Sequence, residues 1–129
     1  MNVKIGDVNL LTYKETDPIS SGDNLGILVN IGDMGVTLEG RLYVYAEVTN
    51  DFEPTGDSIQ IFVFGSQNGV DTELVYNGKQ RSFGGLKAGS GFQIGMPRRA
   101  LSYKFLQVVI NSSADTQGKL KMYFNPVKS

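Results

Sequence analysis

The sequence predicts an all-β, single-domain antiparallel β-sandwich of the jelly-roll type, and three observations carry that prediction. Apolar residues recur at every second position through several short segments, the period of a half-buried strand. Sixteen glycines and four prolines separate those segments in a chain of 129 residues, which is the rhythm of a domain with many turns. No segment carries a convincing helical pattern. The length fits one domain over residues 1–129, with residues 1–25 read as an N-terminal arm or loop segment.

Taken in order, residues 8–13 and 26–31 hold short apolar runs expected as strands. The polar stretch between them, with Pro18 and two serines, is expected as a loop, and residues 14–26 as an arm ordered mainly on binding. Residues 41–49 alternate most cleanly, with Leu42, Val44, Ala46 and Val48 on one face and Tyr43, Tyr45, Glu47 and Thr49 on the other. Pro54 and Gly56 break that period. Residues 58–64 put Ile59, Ile61 and Val63 on one face and Gln60, Phe62 and Phe64 on the other, so this strand is apolar on both sides and belongs in the centre of a sheet. Residues 73–76 form a further strand that ends at Asn77-Gly78, a dipeptide suited to the positive φ angles of a tight turn. Residues 81–86, around Gly84 and Gly85, are expected as a short or bulged edge strand.

The last third reads as strand, tight turn, strand, polar turn, strand. Phe92, Ile94 and Met96 alternate with small or polar residues before Pro97. Tyr103, Phe105, Gln107 and Val109 then alternate with Lys104, Leu106, Val108 and Ile110, and Leu120, Met122 and Phe124 alternate with Lys119, Lys121 and Tyr123. Lys119 and Lys121 are expected on a sheet edge, where lysine discourages pairing with another chain. The total, about seven or eight strands, suits two packed sheets.

Composition narrows the chemistry. The chain has no cysteine and no histidine, which removes thiolate zinc sites, thiol nucleophiles, and the commonest metal ligand and general base. The remaining carboxylates, lysines, serines and tyrosines show no arrangement assembled for catalysis, so the expectation is a protein that is not an enzyme and has no catalytic, cofactor or metal site. Asp51, Glu53 and Asp57 could hold a hard cation, but they lack the ligand spacing of an EF-hand and read better as a solvated turn. A formal net charge of −1 supplies no overall field for nucleic acid or an anionic membrane. The N-terminus lacks the apolar run of a signal peptide, and no run is long enough to span a bilayer, so synthesis and folding in a cytoplasm are expected.

The segment Met96-Pro97-Arg98-Arg99-Ala100-Leu101-Ser102-Tyr103-Lys104-Phe105-Leu106-Gln107-Val108-Val109-Ile110, followed by Thr116-Gln117-Gly118-Lys119-Leu120, resembles the cement, or head-decoration, family of tailed-phage capsid proteins, typified by the Bordetella phage cement protein. Upstream, residues 40–49 look like the first long core strand of that family and residues 59–69 like its second, so the resemblance covers residues 25–124. Lys104 and Gln107 stand where family members more often carry arginine and small polar residues. The resemblance implies a jelly roll that binds as a small homo-oligomer, a dimer or trimer, across junctions of the major capsid protein on the exterior of the virion.

Four residues are the candidate capsid or subunit contacts. Arg98 and Arg99 form a local basic spot whose planar guanidinium forks suit the carboxylates of a neighbouring subunit. Tyr43 and Tyr45 share one strand face and read as core or subunit interface ahead of a sugar-stacking site. The expectation is therefore a virion structural protein acting by binding alone, with no nucleic-acid or membrane partner. The alternative is a carbohydrate- or receptor-binding sandwich, since one fold hosts both functions.

Overall fold

The strand that alternates most cleanly in the sequence lies inside the first of two sheets. The computed structural model describes residues 10–14, 16, 19–32, 41–53 and 58–127. In chain order the strands are β1 (Leu11–Tyr13), β2 (Gly22–Leu25), β3 (Val29–Asn30), β4 (Arg41–Asn50), β5 (Ser58–Ser66), β6 (Glu73–Asn77), β7 (Arg81–Ser82), β8 (Gly91–Gly95), β9 (Phe105–Ser112) and β10 (Lys119–Val127). One sheet has the order β1-β10-β4-β8 and the other β2-β9-β5-β6, with β3 paired to β9 and β7 paired to β5. Every pairing is antiparallel.

The two sheets pack face to face as a β-sandwich, and period-two alternation decides what lies between them. Leu42, Val44, Ala46 and Val48 of β4 are at most 3% exposed and join Leu120, Met122 and Phe124 of β10. From the opposite sheet come Ile59, Ile61 and Val63 of β5 and Leu106, Val108 and Ile110 of β9. Each such side chain contributes roughly 1.5–3 kcal/mol when fully removed from water. An aromatic chain closes one end, where Phe52 meets Phe83 edge-to-face at 5.5 Å and Phe83 meets Phe92 at 5.6 Å.

One corner is sewn by a buried hydroxyl. The edge formed by β2 and β3 breaks at Gly26, whose N–H donates to the Val108 carbonyl, while the Ile27 N–H donates to the Thr12 carbonyl of β1 in the other sheet. Thr12 Oγ1 donates to the Ile27 carbonyl at 3.0 Å and accepts from the Val108 N–H at 3.2 Å. A single buried threonine thus ties β1 to both β3's approach and β9.

Several expectations change. The stretch expected as a loop or arm over residues 14–26 contains β2 and the buried Ile19, because polar groups do the pairing there: Asn24 Nδ2 donates to the carbonyls of Ser20, Gly22 and Ile110. Residues 1–9 of the expected arm lie outside the described residues. β10 lies between β1 and β4, so Lys119 and Lys121 are not on an edge strand. Asn77-Gly78 makes no positive-φ turn; Gly78 donates to the Ile61 carbonyl instead and prolongs the edge. Arg98–Ser102 is a short 3₁₀ helix rather than a simple turn. The strand over residues 58–64 is central, as its two apolar faces require.

Candidate functional site

The end of the sandwich where β8 leaves the sheet builds an open concavity. The Met96 N–H donates to the Leu42 carbonyl, carrying the β8–β4 ladder one step past the strand and holding the turn against β4. Pro97, at φ −63°, then starts the 3₁₀ helix, closed by the Ala100 N–H to the Pro97 carbonyl. Ala100 is fully buried and anchors the turn, and Gln67 Nε2 donates to the Ser102 carbonyl from the far side.

This geometry separates the two arginines. A 3₁₀ helix has about three residues per turn, so adjacent side chains leave about 120° apart. Arg99 reaches away and its Nη2 donates to the Val75 carbonyl at 2.8 Å and more weakly to that of Leu74 at 3.5 Å, clasping β6. Arg98 faces the other way, into an open cleft of about 240 Å³ lined by Arg41, Leu42, Tyr43, Gly95, Met96, Pro97, Arg98 and Leu101. Arg98 and Tyr43, predicted as contacts from separate segments, therefore meet in one place. Arg99 does not join them.

The cleft has a chemical character. Its floor is apolar, made by Met96, Pro97 and Leu101, and its rim carries two exposed guanidinium groups, Arg41 and Arg98. No carboxylate is among its described lining residues, and neither arginine has an acidic partner among the described residues. Such a site suits a carboxylate or other anion carried on an apolar or planar body, because each guanidinium offers a bidentate fork. Arg41 was not singled out from the sequence. The signal available was its place at the first position of a strand, two residues before Tyr43 on the same face.

Tyr43 and Tyr45 lie half-buried on the outer face of the four-stranded sheet, so neither belongs to the core cluster. Tyr43 is paired with Gly95 and Asn125, and Tyr45 with Gln93 and Tyr123. Both rings lie across the edge strand over its glycines: a Cβ on Gly91 would fall 2.8 Å from the Tyr45 hydroxyl oxygen, and one on Gly95 would sit 3.7 Å from the Tyr43 ring. Only Tyr43 lines the cleft; Tyr45 continues the aromatic face beside it.

Beyond the cleft, the Tyr103 hydroxyl hydrogen-bonds Glu73, which raises its pKa above the ordinary 10.0; partial burial and the Glu73 charge push the same way, and Arg99 opposes them. The acidic residues expected on a turn are occupied in tying loops together. Asp51 accepts from the Ala88 N–H at 2.7 Å and faces Lys87 at 3.6 Å. Glu53 accepts from Thr116 Oγ1 and the Gln117 N–H, while Asp57 lies outside the described residues.

Among known proteins, no family model matches this chain, and neither a curated protein nor a solved structure matches it.

Proposed function

We propose that this protein is a virion structural protein, a capsid decoration or cement protein that binds the exterior of a phage head and stabilises junctions of the major capsid protein. The observation that carries this reading is the cleft beside Tyr43, where Arg41 and Arg98 lack an acidic partner among the described residues. Two guanidiniums over an apolar floor fit an acidic side chain presented by a neighbouring protein subunit. Binding is the whole mechanism: modest contacts repeated over a lattice add up through multivalency.

The strand order supports the finer architectural reading. Taken as single interrupted edge strands, β2 with β3 and β6 with β7 leave eight strands in two four-stranded sheets, β1-β10-β4-β8 facing β2-β9-β5-β6. That arrangement supports the jelly-roll reading, an architecture that recurs in viral capsid and lectin domains. The same recurrence keeps fold from choosing between them.

A carbohydrate- or receptor-binding module is the second reading, and the observation in its favour is the pair of tyrosine rings laid over Gly91 and Gly95. A smooth aromatic face of that kind is suited to stacking on a sugar ring.

The test is the copy number of the chain in purified virus particles, wild type against the Arg41→Glu/Arg98→Glu variant. The decoration reading expects wild-type protein in fixed proportion to the major capsid protein and at least about a tenfold loss of occupancy in the variant, the equivalent of about 1.4 kcal/mol. Absence of the wild-type chain from particles, together with retention on a glycan array lost in Tyr43→Ala, would replace it with the second reading.

A further inference from the structure

We infer that β8 is a strand-addition site, where an extended segment of a different protein pairs antiparallel with the free edge and places an acidic residue at its N-terminal end in the Arg98 cleft. Each sheet has two edges, and three of the four are broken. β1 shifts register against β10 between Leu11 and Tyr13; the other sheet is interrupted between β2 and β3 on one side and between β6 and β7 on the other, with a further shift at Val63/Phe64. Among the described residues, β8 is the edge that pairs in continuous register, over all five residues of Gly91–Gly95. It carries no lysine, no proline and no charge, the devices that ordinarily keep an edge from accepting another strand.

The backbone of that edge is open. The Met96 N–H donates to the Leu42 carbonyl and the Val48 N–H to the Ser90 carbonyl, which fixes the phase of the antiparallel ladder. Phe92 and Ile94 therefore turn their N–H and C=O groups toward β4, while Gly91, Gln93 and Gly95 turn theirs away from it. No strand lies beyond β8 among the described residues, and these three residues are exposed. In recognition by strand addition, main-chain bonds supply affinity and alternate side chains select the partner.

The margin of the edge describes the occupant. The Tyr43 and Tyr45 rings cross from β4 over Gly95 and Gly91, so side chains set opposite those glycines meet aromatic surface, which favours apolar or β-branched residues there. β8 itself does not fit: paired over all five residues with a second copy, it would set Gly91 against Gly95 and offer the rings no side chain. An antiparallel segment has its N-terminal end at Gly95, beside the cleft, where Arg98 suits a carboxylate just before the paired stretch. The acidic position rests on the proposed anion-binding role of the cleft; the strand pairing rests on the edge alone.

The test is selection of random peptides of about twelve residues, enough for a strand and its flanks, against the full chain, followed by their binding to wild type and to Gln93→Pro. Proline at that position removes an outward N–H and leaves the ladder to β4 intact, so the fold is kept. The selected peptides are expected to carry Asp or Glu ahead of alternating apolar residues and to lose at least about tenfold in affinity for Gln93→Pro. On wild-type protein, N-methylation of alternate peptide amides is expected to abolish binding in one phase and spare it in the other, a readout that needs no variant to fold. Failure to enrich any peptide, peptides indifferent to Gln93→Pro and to N-methylation, or a wild-type dimer that Gln93→Pro dissolves, which would make a second copy the occupant, would each overturn the inference. Peptides that pair with the edge but carry no acid would contradict the anion-binding role of the cleft and leave strand addition standing.

Discussion

At the scale of single residues, several glycines hold space that a neighbouring ring occupies. A Cβ on Gly118 would fall 2.3 Å from the Phe52 ring, and one on Gly65 2.5 Å from the Tyr103 ring. Phe52 is 2% exposed and anchored in the core, so it cannot yield. Gly118→Ala is therefore expected to destabilise the fold by about 1–3 kcal/mol, the usual cost of forcing extra volume into a packed site. Urea unfolding monitored by tyrosine fluorescence measures it. Tyr103 gives a second expectation. Its phenol holds its proton in the fold where the unfolded chain, at 10.0, loses it, so the associated stability is complete below that value and falls as pH rises through the folded pKa. Tyr103→Phe is expected to show a shallower loss of stability than wild type in alkaline thermal melts, and identical slopes would contradict the Glu73 hydrogen bond. The alternation of residues 41–49 separates Tyr43 and Tyr45 from Leu42, Val44, Ala46 and Val48, but the expectation that the two tyrosines are core is corrected: their face points outward and both are half-buried outside the core. What the pattern cannot express is the role of Gly91 and Gly95 beneath their rings, because that contact belongs to a different strand.

At the scale of elements, the 3₁₀ helix Arg98–Ser102 decides which arginine serves the cleft. Adjacent basic residues look equivalent in a sequence, and only the threefold winding of the turn gives Arg99 to the β6 carbonyls and Arg98 to the cleft. The two are expected to separate by measurement. Arg99→Ala loses its hydrogen bonds to β6 and should cost about 0.5–1.5 kcal/mol, with faster amide exchange over Glu73–Asn77. Arg98→Ala should leave stability within about 0.5 kcal/mol of wild type, since its side chain is exposed and spans no such contact. The long strands β4, β5, β9 and β10 were legible because both packing and period favour them. β2 was not, because Asn24 and its backbone partners supply pairing that leaves no apolar trace. The lysines of β10 misled for a related reason: Lys121 sits on a central strand and folds over the Tyr123 ring at 5.8 Å, shielding an outward aromatic instead of guarding an edge.

At the scale of the whole molecule, the sandwich separates three surfaces of different chemistry. The six-stranded sheet presents apolar side chains among amides, with Asp23 at a corner and Lys104 over the Phe105 ring, the four-stranded sheet presents tyrosines among charged residues, and the end between β4 and the 3₁₀ helix presents two arginines. The fold class was readable from period-two alternation and turn residues alone. The cleft was not, because its parts come from residues 41–43 and 95–101, which sequence order keeps far apart and the β4–β8 pairing brings together. The capsid-decoration proposal is tested most directly by quantitative mass spectrometry of purified virus particles, reading the molar ratio of this chain to the major capsid protein. A fixed, lattice-like ratio that falls in Arg41→Glu/Arg98→Glu is the predicted result; absence, or a few copies per particle, would contradict it.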